Sequence, residues 1–411
     1  MTKTAGLSGY RFSSRTAWSR AATPLEKSRR ASQRQRPDYI DLTCSNPTKQ
    51  GFVYEDAALR GFFADAGLYD PTPLGLATAR QAIARYLAGH GSTVAGDQIW
   101  LGAGTSELYG QLMTVLCDPG EVWLVPEPGY PLLTHLADAA AVRLEPYPLC
   151  HDGDWMVDVE TMQETLRARP DIKAVVLVSP HNPTGHVVDE DTLSKVAEIC
   201  ARHHAALIVD EVFLDYPLIQ SPPLPSAARA GPALTFTLSG LSKVAAFPQG
   251  KVSWAAVTGP PSSVAEALER LEVLADAYLS VSTVAQSGTA GLLGKAPEMQ
   301  ARIRQHIRNN YSQACQYFSD SVVSVLPVAA GWTVLLRLPA VLTDEEWATA
   351  LLTSVAVMTY PGYLFGLNQH IGAPLLALSL LIEPDRFEVG CQRIRAAATR
   401  IVNEQEGGRT C

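Results

Sequence analysis

The sequence predicts an α/β fold: a large domain with a mostly parallel, seven-stranded type of sheet flanked by helices, and a smaller α+β domain beside it. Three observations carry this expectation. The chain has 411 residues, 47% of them hydrophobic, which suits two domains of unequal size better than one. Short apolar runs alternate with stretches of helical periodicity through the first two thirds of the chain. After about residue 285 the pattern changes to longer helical stretches with two strands between them.

Taken in order, residues 1–45 are assigned to one N-terminal segment; residues 1–40 are polar and basic, and the first 36 are rich in Arg and Ser with Glu26 as their one acid. That composition is shared by organelle-targeting segments. The preferred reading is an N-terminal arm that lies on the body of the protein or on a second subunit and joins the small domain. Residues 46–285 are assigned to the large domain. It opens with helical spacing over 74–90 (Leu76, Ala79, Ile83, Tyr86, Leu87). Val122–Val125, Ala174–Val178, Ala206–Val209 and Leu234–Leu238 read as buried strands, with an amphipathic helix at Thr192–His203 between the second and third. A long helix near 262–285 is expected to join the domains. Residues 286–411 form the small domain, with helices at Met299–Phe318, Asp344–Thr353 and Asp385–Asn403 and strands at Trp332–Leu338 and Ala377–Leu381.

A formal net charge of −8 argues against nucleic acid and against an anionic membrane as partner. No apolar run reaches the roughly 18–20 residues of a spanning helix. The seven cysteines are scattered and never paired as C-x-x-C, which suits reduced thiols in the cytoplasm. His181, His186, His203 and His204 have no metal-site spacing and read as surface or supporting residues, so no metal is expected.

Ligands of open α/β sheets bind beyond the carboxyl ends of the strands, so the loops after the apolar runs matter most. Ala206–Val209 ends in Asp210-Glu211; a buried acid there needs a cationic partner, such as a protonated ring nitrogen, although an N-cap or core ion pair would explain a lone Asp as well. Ala174–Val178 leads into Ser179-Pro180-His181-Asn182-Pro183-Thr184-Gly185, a stiff turn able to aim the Asn182 amide, or simply a turn. Leu234–Leu238 leads into Ser239-Gly240-Leu241-Ser242-Lys243. A lysine at a strand end is a candidate imine-forming nucleophile, because burial lowers its basicity, or else an ordinary surface lysine. Gly102-Ala103-Gly104-Thr105-Ser106 before a helix makes an anion site. Pro126-Glu127-Pro128-Gly129-Tyr130-Pro131 holds an aromatic in a stiff loop. Asn182, Asp210 and Lys243 are each about one βα unit apart and can converge on one sheet edge.

These stretches, with SNPT at 45–48, YDPTPLGLATAR at 69–80, GTSE at 104–107, NPTG at 182–185, DEVF at 210–213 and SGLSK at 239–243, resemble the fold-type I, class I/II aminotransferases that use pyridoxal 5′-phosphate. The resemblance covers roughly residues 40–400. It implies that Lys243 holds the cofactor as a Schiff base and moves the proton, that Asp210 pairs with the ring nitrogen, and that Asn182 donates to the ring oxygen. It further implies that Tyr130 stacks on the ring and that Gly104, Thr105, Ser106, Ser239, Ser242 and Lys251 surround the phosphate. Tyr69 resembles the tyrosine that reaches a neighbouring subunit's phosphate, which implies a homodimer with shared sites. Asn46 falls in the substrate-binding SNPT stretch.

Three departures stand out. Lys251 occupies the position of a phosphate-holding arginine, which removes a bidentate fork. Phe213 replaces the tyrosine of DE-x-Y, and Ala377 stands where a late-strand arginine would clamp the substrate carboxylate. Arg337, Arg386, Arg11 and Arg15 are the candidate replacements for that clamp; otherwise the substrate lacks a carboxylate in the usual place. The resemblance implies transfer of an amino group between an amino acid and a 2-oxo acid. Racemisation, decarboxylation, elimination or oxidative deamination on the same scaffold remain open, as does, less favoured, a non-catalytic binding protein.

Overall fold

Short apolar runs, too short for helices, form the centre of the molecule. The computed structural model describes residues 10–62, 67, 69, 71–219, 223–367 and 372–407. Its strands are β1 (Ile40–Asp41), β2 (Ile99–Gly102), β3 (Val122–Glu127), β4 (Arg143–His151), β5 (Trp155–Val157), β6 (Ile172–Val178), β7 (Ala206–Asp210), β8 (Thr235–Gly240), β9 (Ser253–Thr258), β10 (Ser324–Val325), β11 (Thr333–Arg337), β12 (Val357–Met358), β13 (Tyr360–Pro361) and β14 (Leu375–Ser379).

One sheet has the order β2-β9-β8-β7-β6-β3-β4-β5. The four runs legible in the sequence are its parallel centre, β8, β7, β6 and β3. β4 adds in parallel, while β9, β2 and β5 run antiparallel to their neighbours. The sheet therefore has eight strands rather than seven; the extra one is β5, a three-residue return on the end of β4. Successive side chains alternate faces. Leu124, Val175, Leu177, Leu207 and Val209 enter one core, and Trp123, Ala174, Val176, Ala206 and Ile208 enter the other. With both faces covered, polar alternation disappears and the runs read as continuously apolar. Each fully buried Val, Leu or Ile adds about 1.5–3 kcal/mol of transfer free energy.

The second sheet, β10-β11-β14-β13, is antiparallel throughout. It packs with Trp332, Trp347 and Phe387 in a separate core. β14 begins and ends two residues earlier than the expected Ala377–Leu381. Leu375 through Ile382 are all buried, Ser379 being the one polar residue among them, so the apolar run carried no boundary. The expected helices appear as Glu190–Arg202, Asp344–Val355 and Pro384–Gly407. Asp189 caps the first through Thr192 N at 2.8 Å, and Thr343 and Glu346 form a capping box on the second.

The helix that joins the two cores is not the expected one. The helix Pro261–Tyr278 packs its buried face into one core of the large sheet. The connector is the 30-residue helix Thr289–Phe318. Its Leu292, Leu293 and Ala296 bury beside the large sheet, and its Met299, Ile303 and Ile307 bury in the small one. Pro297 lies inside it; a proline removes one backbone donor and reads as a break, which placed the expected start at Met299.

Within the first 45 residues, the helix Pro24–Gln35 packs on Asp344–Val355, and β1 pairs in parallel with β12. Earlier residues lie on the helix Leu132–Ala140 of the large-sheet layer instead: Arg15 donates to Ala139 O at 2.9 Å and Trp18 Nε1 to Asp138 Oδ2 at 2.9 Å. The six described cysteines are free, and Cys411 lies outside the described residues. Among the described residues no helix is long and apolar enough to cross a membrane, and no side-chain cluster could hold a metal ion.

Candidate active site

The carboxyl ends of β3, β6, β7 and β8 open into a cavity of about 870 Å³, closed on its other side by residues of β11, β13 and β14. Thr105, Ser106, Tyr130, Asn182, Asp210, Ser242 and Lys243 all line it. These residues are far apart in sequence and meet because each follows a neighbouring strand or starts a helix beside it.

Lys243 lies in a four-residue helix, Leu241–Val244, directly after β8. Side chains from elsewhere pin this helix through its carbonyls. Tyr216 donates to Lys243 O, Gln300 Nε2 to Val244 O at 2.9 Å, and Tyr54 to Ala245 O at 2.8 Å. Burial lowers the lysine to about 8, against the opposing pull of Asp210. Its Nζ rests over Trp332, 4.6 Å from the ring centroid, and 5.5 Å from that of Phe213.

Asp210 ends β7. Its Oδ1 accepts from Val212 N at 3.1 Å and its Oδ2 from the Tyr109 hydroxyl at 3.0 Å. Burial raises it to about 6, while those two hydrogen bonds and Lys243 pull the other way. Glu211 points away and is held by Ser226 and the Ala227 amide; burial pushes it up to about 7.

The Asn182 turn is tied to Asp210 by its backbone, Ser179 N donating to Asp210 O at 2.9 Å. Gly185 closes the turn at φ 71, a left-handed conformation crowded by Val328 and Ala330 that a side chain would not fit. Within it, His181 bonds Thr184 Oγ1 at 2.8 Å, and burial pushes its ring down to about 3. Thr333 donates to Asn182 Oδ1 at 3.3 Å, leaving the amide nitrogen as the group offered to the cavity. Tyr130 sits half-exposed at the mouth, on a loop anchored by Gly129 N to Phe365 O at 2.8 Å.

Other expected residues lie outside the cavity wall. Gly104 caps the Thr105–Leu116 helix and is half-buried, with open space where a side chain would stand. Ser239 is buried behind the wall with its hydroxyl unpartnered. Lys251 is exposed, and so is Tyr69, at 72%. Asn46 is used as a cap, its Oδ1 accepting from Thr48 N at 3.0 Å. Arg337 ends β11 facing solvent, and Arg386 donates to Tyr39 O at 3.2 Å. Arg11 and Arg15 are exposed. None of these four arginines lines the cavity.

Sequence reading missed Tyr109, Trp332, Thr333, Glu127 and His135. Tyr109 was within reach, since it lies four residues after Thr105 and so shares a helix face with it. Trp332 and Thr333 come from the other sheet, and only the fold brings them to Lys243 and Asn182.

The model for aminotransferase class I and II matches residues 63–394. The chain belongs to that family. The glutamate-pyruvate aminotransferase AlaA of Escherichia coli K12 is 31% identical over 280 residues, 66% of this chain and 67% of the relative. The alanine aminotransferase of Mycobacterium bovis is 27% identical over 264 residues, 62% of this chain and 60% of the relative. In structure the aminotransferase resembles an alanine aminotransferase from Pyrococcus furiosus, with a TM-score of 0.84, 20% identity, and 95% of this chain and 100% of that one covered. It also resembles an aminotransferase from Escherichia coli, with a TM-score of 0.81, 24% identity, and 95% and 99% covered. At those identities the structural likeness speaks to the fold.

Class I/II aminotransferases use pyridoxal phosphate. The donor set here fits that group. One buried amine, one buried carboxylate and a helix N-terminus carrying Thr105 and Ser106 face a single cavity, matching an aldehyde, a ring nitrogen and a phosphate.

Proposed function

We propose that this enzyme moves an amino group between an amino acid and a 2-oxo acid, with Lys243 as the cofactor-bearing lysine. The observation that supports it most strongly is a buried lysine facing a buried aspartate in one cavity, beside the N-terminus of the Thr105 helix. The names of the relatives, glutamate-pyruvate and alanine aminotransferase, accord with that class of exchange.

When bound, pyridoxal phosphate supplies an aldehyde carbon that takes the amino group and a ring that takes up electrons. Lys243 Nζ, its basicity lowered by burial, is free enough of its proton to act as nucleophile. The same nitrogen would accept and return a proton at the substrate carbon. Asp210 would keep a proton on the ring nitrogen, and Tyr109 and Val212 N hold its carboxylate in place for that task. Thr105, Ser106, Ser242 and the first-turn amides of the Thr105 helix would hold the phosphate. Asn182 would offer its amide nitrogen to the cofactor and Tyr130 would supply an aromatic surface at the mouth of the cavity.

A homodimer accords with exposed Tyr69 and with the apolar residues Val273, Tyr278, Leu279 and Val284, which are all exposed on neighbouring stretches of the chain. A cytoplasmic setting accords with six free thiols. The test is spectral. An amino donor added alone should bleach the visible band of the cofactor-loaded protein, and a 2-oxo acid should restore it. A band that persists, or product formation without any need for a 2-oxo acid, would contradict the reading.

A further inference from the structure

Beyond the residues assigned to the cofactor, the cavity wall includes Ser45, Glu127, Thr333, Tyr360, Phe365 and Ser379, the part left for a substrate. Among the described residues of this chain that line the cavity, Lys243 is the only lysine or arginine, its nitrogen engaged in the chemistry, and His135, packed against Trp18, is the only histidine. A carboxylate taken out of water costs several kcal/mol unless a cation or several donors meet it. Two hydroxyls of the wall already donate elsewhere, Ser379 to Cys44 O at 3.0 Å and Thr333 to Asn182 Oδ1 at 3.3 Å. The cofactor itself brings a phosphate. A second anion is therefore poorly matched here, whereas a neutral or cationic amine is not.

We infer that one of the two exchange partners is a primary amine with no carboxylate on the carbon that bears the amino group, its other substituents being apolar, aromatic or hydroxylated. This rests on the aminotransferase reading and departs from it only in the class of that substrate. The exchange balances without a further co-reactant. The amine's C–N bond gives way to a C=O bond, its oxygen being the one that leaves the cofactor's aldehyde through water. The electron pair of the substrate C–H bond reduces the aldehyde carbon. A carbonyl acceptor then takes the amino group back by the reverse sequence.

The test mixes holoenzyme, without acceptor, with pairs that differ in the carboxylate: 2-aminopropane and alanine, 2-aminopropan-1-ol and serine, 2-phenylethylamine and phenylalanine. Decay of the visible band gives a rate per concentration for each compound. The average amine-to-amino-acid ratio should exceed one, reaching about tenfold, equivalent to about 1.4 kcal/mol. tert-Butylamine and 2-aminoisobutyrate have no hydrogen on the reacting carbon; the spectral shift each causes reads binding without transfer, and the amine should bind more tightly. An average ratio of one or below would overturn the inference and leave the aminotransferase reading standing. No decay with either class would overturn both.

Discussion

At the scale of single residues, the chemistry depends on two buried groups displaced toward each other. Lys243 is lowered to about 8 and Asp210 raised to about 6, each mainly by burial. Between those values the lysine is protonated and the aspartate ionised. Because only the free amine attacks an aldehyde, capture of pyridoxal phosphate by cofactor-free protein should speed up as pH rises, about tenfold per unit below 8, and level off above it. Stopped-flow growth of the visible band measures this; a rate independent of pH from 6 to 9 would contradict it. Asp210→Asn should slow the half-reaction by about 10²–10³-fold, since it removes a preorganised charge. Thr333→Val should leave the Asn182 amide unanchored and weaken cofactor binding by about 1 kcal/mol, with Thr333→Ser close to wild type. Equilibrium titration of the cofactor would show it, and equal affinity in all three proteins would remove the positioning role.

Elements explain how much of this was legible. β3, β6, β7 and β8 were readable because a strand buried on both faces becomes a short unbroken apolar run, and the residues that end or follow them, Asp210, Asn182 and Lys243, could be located from that alone. β9 was not among the expected strands: Trp254, Val257 and Thr258 favour a strand, but Ala255 and Ala256 between them break the unbroken apolar β-branched run that marked the others. β4 contains Pro146 and Pro148, which speak against a strand, yet it tolerates them beside an outer neighbour of only three residues. The Thr289–Phe318 helix was cut short in the reading by Pro297. Its packing into both cores gives it a larger role than its propensity suggests. Ile303→Ala, fully buried in that helix, should cost about 2–5 kcal/mol and lower the urea midpoint. A change under about 0.5 kcal/mol, the range of ordinary surface substitutions, would show that the helix does not carry the junction.

For the whole molecule, the cavity is assembled from the large sheet on one side and from β11, β13 and β14 on the other. The parts of the site missed in the sequence, Trp332 and Thr333 above all, come from that second side, because contacts between sheets leave no periodic trace in either. The same scale holds the proposed dimer. Light scattering should give twice the 44.3 kDa mass of the chain, and Leu279→Glu, placing a charge among exposed apolar residues, should shift it toward one chain. A monomer at micromolar concentration with a full spectral half-reaction would contradict shared sites. The most direct test of the central claim is reduction of the cofactor-loaded protein with borohydride, followed by peptide mass spectrometry. The account predicts one cofactor-derived mass increment, on Lys243; an increment on another lysine, or none on Lys243, would contradict it.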